Sequence, residues 1–242
     1  GTDSGTGRPG RLRHWDDDKR RREMMEHIGL EQVLPTEIEA RSFEIITEEL
    51  GSTPLVPGTE PIVKRCIHTS ADFDYAHSLV FSDGVVERAL AALRQGAAIV
   101  TDTEMGRAGI NKKRLADYGG EVHCFMADED VALAAERNGT TRAAASMDKA
   151  AALDKKVIFA VGNAPTALVR IYELVREGVL KPEAVIAVPV GFVNVVRAKE
   201  LILELKETPS IVAKGRKGGS NIAACICNAL LYMLEERGQQ DG

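Results

Sequence analysis

Apolar residues follow two different patterns along this chain. In most stretches they recur every three or four residues, as on the buried face of an amphipathic helix, while short runs in between are apolar throughout. A strand with both faces buried has no polar side, so these runs predict parallel strands covered on both faces. The predicted helices span 38–50, 57–70, 82–96, 111–120, 129–139, 141–153, 164–178, 194–205 and 221–237, and the predicted strands begin at 97, 121, 156, 183 and 210.

Each of these strands is followed by a helix after a short loop. The pattern predicts a three-layer α/β/α domain with a mainly parallel sheet of about five strands. Ser82 is expected to cap the helix of 82–96, and Gly96 to end it. In such domains ligands bind beyond the carboxyl ends of the strands, so those ends are where functional residues are sought.

The first part of the chain differs from the rest in composition. Residues 1 to about 23 are charged and almost without apolar side chains, so they cannot bury enough surface to offset the entropy of ordering. We expect a partly mobile extension over 1–34 and a single α/β domain over 35–242. With 44% hydrophobic residues among 242, that domain needs no metal or disulfide for stability.

Charge and cysteine content narrow the class of protein. The net charge is −5 with mixed signs, which argues against a nucleic-acid-binding surface. No apolar run reaches the roughly 20 residues of a membrane span, and the N-terminus lacks a secretory pattern. Four dispersed cysteines without a CxxC pair predict reduced, mostly buried thiols in a cytoplasmic protein.

The strand that begins at residue 210 leads into the glycine-rich segment KGRKGGS, residues 214–220. Gly218 and Gly219 allow close approach of a ligand to the backbone, and the N–H groups of the following helix face an anion. Lys214, Arg216 and Lys217 add positive charge, so a phosphate or a carboxylate would fit. Ordinary turn chemistry with a solvated basic loop explains the composition equally well. Neither GxGxxG nor GxxxxGK[ST] is present.

Other strand and helix ends offer weaker signals. Asn163 can cap the helix that contains Pro165, and Thr166 can contribute a hydroxyl. Arg142 begins a helix and could bind a carboxylate through two hydrogen bonds. Each of these features is more often structural than functional. Asp102 and Glu104 lie near no histidine in sequence, so a metal site is not expected.

Seven segments, in this order and spacing, resemble the precorrin-8X methylmutase family of corrin-ring biosynthesis. The resemblance covers roughly residues 35–235 and excludes the N-terminal extension. The segments are ARSFEII (40–46), IHTSADFDY (67–75), TDTEM (101–105), GTTRAAAS (139–146), GNAPTAL (162–168), PVGFV (189–193) and KGRKGGS (214–220).

The resemblance implies migration of one methyl group of the macrocycle from C-11 to C-12. The product is hydrogenobyrinic acid, or cobyrinic acid when the substrate already holds cobalt. It also implies an α/β domain that forms a homodimer, with the tetrapyrrole bound at or near the interface. No cofactor is implied, and the only metal is cobalt already held by the substrate.

By the same resemblance, His68 is the catalytic residue. A lone histidine at a helix end is usually structural, but His68 occupies the position of the family's catalytic histidine. A group that protonates a pyrrole-type nitrogen beside the migration centre would make the neighbouring carbon more electron-poor, and imidazole suits that role. The expected substrate-binding residues are Arg41, Ser42, Thr69, Thr103, Glu104, Met105, Arg142, Asn163, Thr166, Gly191, Phe192, Lys214, Arg216, Gly218, Gly219 and Ser220.

Two other functions compete with this one. A tetrapyrrole carrier would use the same crevice without needing an acid at His68. A nucleotide-dependent α/β enzyme would use residues 214–220 for phosphate, although the missing glycine fingerprints count against it.

Overall fold

The computed structural model describes residues 17–241 of the chain. Contacts divide the described residues into two units, one that extends to residue 45 and one that begins at residue 46. No helix among the described residues combines the length and the apolar character needed to cross a lipid bilayer.

The N-terminal unit is helical where it is described. Helix α1 covers Asp17–His27, a 3-10 turn covers Pro35–Glu37, and helix α2 begins at Ile38 and ends at Leu50, beyond the boundary between the units. The predicted extension of residues 1–34 stays a prediction, because residues 1–16 lie outside the described part of the chain.

The second unit contains the remaining elements. Its helices are α3 (Glu60–Ser70), α4 (Tyr75–Ser78), α5 (Val85–Arg94), α6 (Glu104–Gly109), α7 (Lys112–Asp117), α8 (Glu129–Asn138), α9 (Arg142–Ala151), α10 (Pro165–Arg176), α11 (Val195–Glu204) and α12 (Ser220–Gln240). Its strands are β1 (Leu79–Phe81), β2 (Ala98–Thr101), β3 (Val122–Cys124), β4 (Val157–Val161), β5 (Ala184–Ala187) and β6 (Ser210–Ala213).

The six strands form one sheet in the order β1-β6-β5-β4-β2-β3. All neighbouring pairs are parallel except β1 and β6, which are antiparallel. The predicted α/β class and mainly parallel sheet are confirmed. The prediction missed β1, Leu79–Phe81, a short and partly exposed strand at the edge of the sheet that pairs only with β6.

Helices cover both faces of the sheet, and alternate strand residues face opposite layers. Ile158 of β4 belongs to one hydrophobic core with α3, α5 and α12, while the neighbouring Phe159 belongs to a second core with α9, α10 and α11. Both side chains are completely buried. Burial on both sides is the reason that the strands are apolar throughout, and it confirms the three-layer arrangement.

The sheet reverses its winding between β2 and β4. From β2 the chain passes to β3 through α6 and α7, and Leu115 of α7 packs in the core that contains α12. From β4 it passes to β5 through α10, which packs in the core on the opposite face. The connections that follow β2 and β4 therefore lie on opposite faces of the sheet. Because they diverge in this way, a crevice opens at the carboxyl ends of β2 and β4.

One of the two predicted caps of α5 is wrong. Gly84, not Ser82, is the N-cap residue. The Ser82 hydroxyl accepts a hydrogen bond from the backbone N–H of Ser210 at 2.8 Å, so it pairs with β6. At the other end Gly96 has φ +83°, the left-handed conformation expected of a helix terminator. All four cysteines are free and buried, as predicted.

Candidate active site

The crevice between β2 and β4 is organised by a buried carboxylate, Asp102, which directly follows β2. It is 1% exposed and accepts hydrogen bonds from the backbone N–H groups of Gly162, Asn163 and Ala164 at 2.9, 2.9 and 2.6 Å. Burial raises the pKa of the Asp102 carboxyl, while these N–H groups act in the opposite direction. Asp102 thereby fixes the turn that joins β4 to α10.

This arrangement corrects the predicted cap of α10. Ala164 is the N-cap residue, and no side chain caps the helix. Asn163 is exposed, and its backbone is already held by Asp102 across the sheet. A carboxylate from a neighbouring strand satisfies N–H groups at the start of the helix, so an Asn163 cap is not needed. Pro165 occupies the first turn, as predicted.

Thr103 and Ser220 join the start of α6 to the start of α12. Their hydroxyl oxygens are 2.7 Å apart, and the Thr103 hydroxyl also accepts a hydrogen bond from the N–H of Gly106 at 2.9 Å. The backbone of Ser220 lies against Gly162, where an added Cβ would come within 2.6 Å of the Ser220 Cα atom. The structure thus brings Thr103 and Ser220, two predicted site residues, together at the crevice.

The segment 214–220, here called the anion loop, folds onto the end of β5. The N–H of Gly219 donates to the carbonyl of Val188 at 2.8 Å, and the N–H of Gly191 donates to the carbonyl of Arg216 at 3.0 Å. Gly218 has φ +158°, and a Cβ there would lie 2.0 Å from the Val188 carbonyl oxygen. Glycine is therefore required at position 218 by a close approach within the protein itself.

The charges of the anion loop are divided between internal pairing and solvent. Lys217 forms ion pairs with Asp72 at 2.8 Å and Asp74 at 3.5 Å, and the hydrogen bond from Lys217 lowers the pKa of the Asp72 carboxyl. Lys214 and Arg216 are exposed. The two cations predicted to bind substrate are thus the ones oriented towards solvent, while Lys217 ties the anion loop to the segment that follows α3.

A buried lysine lies beneath the anion loop. Lys199 of α11 is 1% exposed, and its ammonium donates to the carbonyl oxygens of Gly215 at 2.8 Å and Lys217 at 3.0 Å. Burial lowers the pKa of the Lys199 ammonium to about 8. A side chain from the helix layer therefore holds the inner side of the loop.

Exposed apolar side chains flank the anion loop at the same edge of the sheet. Met105 is 71% exposed and Phe192 and Val193 are each 78% exposed. The guanidinium of Arg216 lies 5.2 Å from the centre of the Phe192 ring, a cation–π distance. Gly191, with φ +150°, turns the chain just before Phe192. These residues provide apolar surface next to a positive charge.

His68 lies in the last turn of α3, where Cys66 and Ile67 are buried and His68 is exposed. Helix α3 runs antiparallel to α12: Arg65 stacks on Tyr232 at 4.4 Å, while Thr69 hydrogen-bonds to Cys225, nearer the start of α12. The end of α3 that carries His68 therefore points towards the start of α12. The bond from Lys217 to Asp72 places the following segment beside the anion loop.

Arg142 and Thr166 lie at the same edge of the sheet, on the other helix layer. Arg142 is exposed at the first position of α9, whose cap Thr141 donates a hydrogen bond to the Thr166 hydroxyl at 2.9 Å. Beside them, between α9 and α10, is a depression of about 680 Å³. Its polar lining includes Thr140, Thr141, Asp148, Thr166, Arg170 and Glu173.

Three further predicted residues have local partners. Arg41 and Ser42 belong to the N-terminal unit, where Arg41 pairs with Glu31 and Glu44 and the Ser42 hydroxyl donates to the Ile38 carbonyl at 3.0 Å. Glu104 is exposed and pairs with Arg107 at 2.8 Å. Their roles in substrate binding, like those of the other predicted residues, stay predictions. Within residues 17–241 no group of three or more His, Cys, Asp or Glu side chains is placed to hold a metal ion.

Comparisons with known proteins match most of the chain. The family model "Precorrin-8X methylmutase" matches residues 37–233. The cobalt-precorrin-8 methylmutase of Salmonella typhimurium is 45% identical over 208 residues, covering 84% of this chain and 97% of that protein. The protein of the same name from Priestia megaterium is 42% identical over 210 residues, covering 87% and 93%. The chain belongs to the precorrin-8X methylmutase family.

A solved structure agrees with this assignment. The crystal structure of precorrin-8X methylmutase from Thermus thermophilus is 39% identical to this chain, with a TM-score of 0.75, and the match covers 84% of this chain and 99% of that one. The resemblance inferred from the seven segments is therefore confirmed, and all seven lie within the matched residues 37–233.

Sequence reasoning about this methylmutase missed two residues that organise the site. The sequence suggests Asp102 only as a metal ligand, and nothing local reveals that it accepts three N–H groups from the turn after β4. Lys199 had a readable signal, because Val195, Ala198 and Ile202 place it on the buried stripe of α11. A lysine at a core position of an amphipathic helix requires hydrogen-bond acceptors in the folded protein.

Proposed function

We propose that this chain catalyses the methyl migration from C-11 to C-12 of a precorrin-8 macrocycle, which makes it an isomerase of corrin biosynthesis. Membership of the family over residues 37–233 carries this proposal. The names of the two relatives favour a substrate that already contains cobalt and yields cobyrinic acid. The cobalt-free substrate would yield hydrogenobyrinic acid in the same reaction.

The side chains at the carboxyl edge of the sheet suit such a substrate. The macrocycle is broad and partly apolar, with acetate and propionate groups at its rim. Met105 and Phe192 offer apolar surface to its face, and Lys214, Arg216 and Arg142 offer exposed cations to its carboxylates. Charge-assisted hydrogen bonds to several carboxylates would fix the ring in one orientation.

His68 supplies the chemistry in this proposal. The migration is intramolecular, so it requires no nucleophile and no group-transfer cofactor. A proton or hydrogen bond delivered to a pyrrole-type nitrogen withdraws electron density from the adjacent carbon and favours arrival of the methyl group. His68 is exposed at the end of α3, and the ion pair between Lys217 and Asp72 holds the segment that follows α3 beside the anion loop.

The proposal includes a homodimer with the tetrapyrrole at or near the subunit interface, in the cytoplasm. Apolar side chains as exposed as Phe192 and Val193 are usually covered by a ligand or a partner in the working protein. The fringe of carboxylates on the substrate also calls for more contacts than one crevice edge provides.

The deciding experiment compares the parent chain with His68→Asn. Each protein is incubated with precorrin-8X and, separately, with its cobalt form, in the presence of EDTA and without added cofactor, while the absorption spectrum is followed. We expect turnover by the parent and a loss of about a hundredfold to ten-thousandfold in the variant, the usual contribution of general acid catalysis. Binding of the product should be unchanged, because the proposed role of His68 is chemical.

His77→Asn is the matched control, because His77 is also exposed in the last turn of a helix, α4, and is assigned no role. Its turnover should equal that of the parent. A stoichiometric spectral change without turnover by the parent would identify a tetrapyrrole carrier. Absence of any interaction would exclude both a methylmutase and a carrier. Conversion by His68→Asn at the parental rate would make His68 structural.

A further inference from the structure

Lys199 is the only lysine or arginine that is buried in the described part of the chain. It lies on the buried stripe of α11 with Val195, Ala198 and Ile202, and it is 1% exposed. Burying an ammonium group is costly unless its donors are satisfied. Both hydrogen bonds that the structure gives it are to carbonyl oxygens of the anion loop, those of Gly215 and Lys217. Its position is therefore matched to this loop and not to a carboxylate partner.

These two hydrogen bonds orient alternate peptide groups of the loop. In a trans peptide the C=O of one residue and the N–H of the next point in opposite directions. With the carbonyls of Gly215 and Lys217 turned inward to Lys199, the N–H groups of Arg216 and Gly218 are turned away from it. Within residues 17–241 the structure shows no protein acceptor for either N–H. Arg216 is exposed and Gly218 is partly exposed.

The loop is also held at its other contacts, so its conformation is tightly defined. Gly191 and Val188 bind the peptide groups of Arg216 and Gly219, and the Lys217 side chain is tied to Asp72. Lys199 contacts the loop from the side of helix α11. Its charge lies directly behind two outward N–H groups, which polarises them towards an anion.

We propose that Lys199 is a positioning residue of the methylmutase reaction: it holds the anion loop so that the N–H groups of Arg216 and Gly218 bind a carboxylate of the macrocycle. This inference rests on the proposed function for the identity of the ligand. It assigns Lys199 to orientation and affinity, whereas His68 acts on the reacting ring.

The test replaces Lys199 with methionine, which has nearly the same shape but neither charge nor N–H donors. Arg197→Met is the control, because Arg197 lies on the same helix, is exposed and pairs with Glu204 at 2.7 Å. Product affinity, KM and kcat are measured for both variants. We expect Kd and KM to rise at least tenfold in Lys199→Met with kcat within threefold of the parent, and no change beyond twofold in Arg197→Met.

A pH series separates positioning from mere support of the fold. The affinity of the parent should fall as pH rises from 7 to 9.5, because Lys199 loses its charge near pH 8. The charged groups facing this region are Lys214, Arg216, Lys217, Asp72 and Asp74, and because both proteins contain all five, any difference between the two pH profiles reports Lys199. The Lys199→Met variant should show a flatter profile.

A measurement on the unmodified protein guards against a variant that does not fold. Hydrogen exchange of the Arg216 and Gly218 amides should slow when the corrin product binds. Lack of such protection, or a folded Lys199→Met variant with parental Kd, overturns the proposal.

The two proposals fail in different ways. A parent that binds product without converting precorrin-8X overturns the proposed function alone. A parent that converts substrate with no effect at Lys199 overturns this inference alone. If the parent neither binds nor converts, both are overturned.

Discussion

Two buried polar residues, Asp102 and Lys199, hold backbone segments at the carboxyl edge of the sheet. Asp102 and Lys199 are each 1% exposed, and each binds backbone groups of a segment distant in sequence. Asp102 accepts N–H groups at the end of β4, and Lys199 donates to carbonyl groups after β6. Asp102 and Lys199 thus hold the backbone segments that carry the exposed residues proposed to touch the substrate.

The first prediction concerns Asp102. In Asp102→Asn one acceptor oxygen becomes an NH₂ group, which faces the N–H of Gly162 in one orientation of the amide and the N–H groups of Asn163 and Ala164 in the other. Loss of charge-assisted hydrogen bonds should lower the free energy of unfolding by about 1.5–3 kcal/mol. Urea unfolding at pH 7 measures it, with the exposed Asp154→Asn as a control expected to change little. Equal stability of the two variants would show that Asp102 contributes nothing to the turn.

The second prediction follows from the pKa of Lys199, which burial lowers to about 8. An unfolded lysine titrates near pH 10.4, so between these values the unfolded chain binds more protons than the folded one. Deprotonation then relieves the cost of burying the charge. The stability of the parent relative to Lys199→Met should therefore increase as pH rises from 8 to 10.4, by at most about 3 kcal/mol.

Urea unfolding of both proteins at pH 7.5 and pH 10 measures this change. Titrations of the cysteines, tyrosines and other lysines are common to both proteins and cancel in the difference. A relative stability that stays constant with pH would mean that Lys199 keeps an ordinary pKa.

At the scale of elements, the anion loop is held by contacts with three other parts of the protein. Between β6 and α12 it contacts the end of β5, α11 and the segment that follows α3. Its glycines were expected to admit a ligand close to the backbone. The structure shows that Gly218 first admits another part of the protein, the carbonyl of Val188. The same glycine thus serves packing, whatever it does for the ligand.

The third prediction concerns Gly218→Ala. The new Cβ would lie 2.0 Å from the Val188 carbonyl oxygen, so the loop must move away from β5. Gly178→Ala is the control, since Gly178 also has positive φ, +73°, but nothing lies within 4 Å of its added Cβ. The control should lose about 1–2 kcal/mol of stability from backbone strain, and Gly218→Ala a further ~1–3 kcal/mol from overpacking.

Product binding distinguishes the two glycine variants further. It should weaken at least tenfold in Gly218→Ala and stay within twofold in Gly178→Ala, because Gly178 lies in the loop between α10 and β5, away from the anion loop. Parental affinity in Gly218→Ala would show that the loop position does not matter for the ligand.

At the scale of the whole molecule, the order of the strands determines which residues meet. The reversal between β2 and β4 opens the crevice where Asp102, Thr103 and Ser220 lie together. Exposed apolar side chains such as Phe192 and Met105 surround the same edge. An edge with this composition is suited both to a macrocycle and to a partner subunit.

The fourth prediction is that the protein is a homodimer whose activity depends on the dimer. Sedimentation equilibrium should give twice the mass of the chain. Specific activity and Tm should fall together on dilution below the dissociation constant, because a monomer would lose part of the site and the stabilisation from association. A monomer with full specific activity at all concentrations would contradict the shared site.

The class of fold and most of its elements can be predicted from the sequence. Strands such as β4, residues 157–161, are apolar on both faces, and the helices carry their own periodic stripes. These signals are local, because burial acts on each residue through the period of its own element. The seven family segments, including the one with His68, were also readable as linear motifs.

The assembly of the site depends on contacts between segments that are distant in the sequence. Strand β1 is a strand because β6 lies beside it, and Ser82 bonds to Ser210 instead of capping its helix. Asp102 accepts hydrogen bonds from residues about 60 positions away in the sequence, and Lys199 donates to the anion loop, 16 positions away. A side chain's hydrogen-bonding partners depend on which strands are neighbours, and strand order is set by the packing of the whole chain, which no local pattern records.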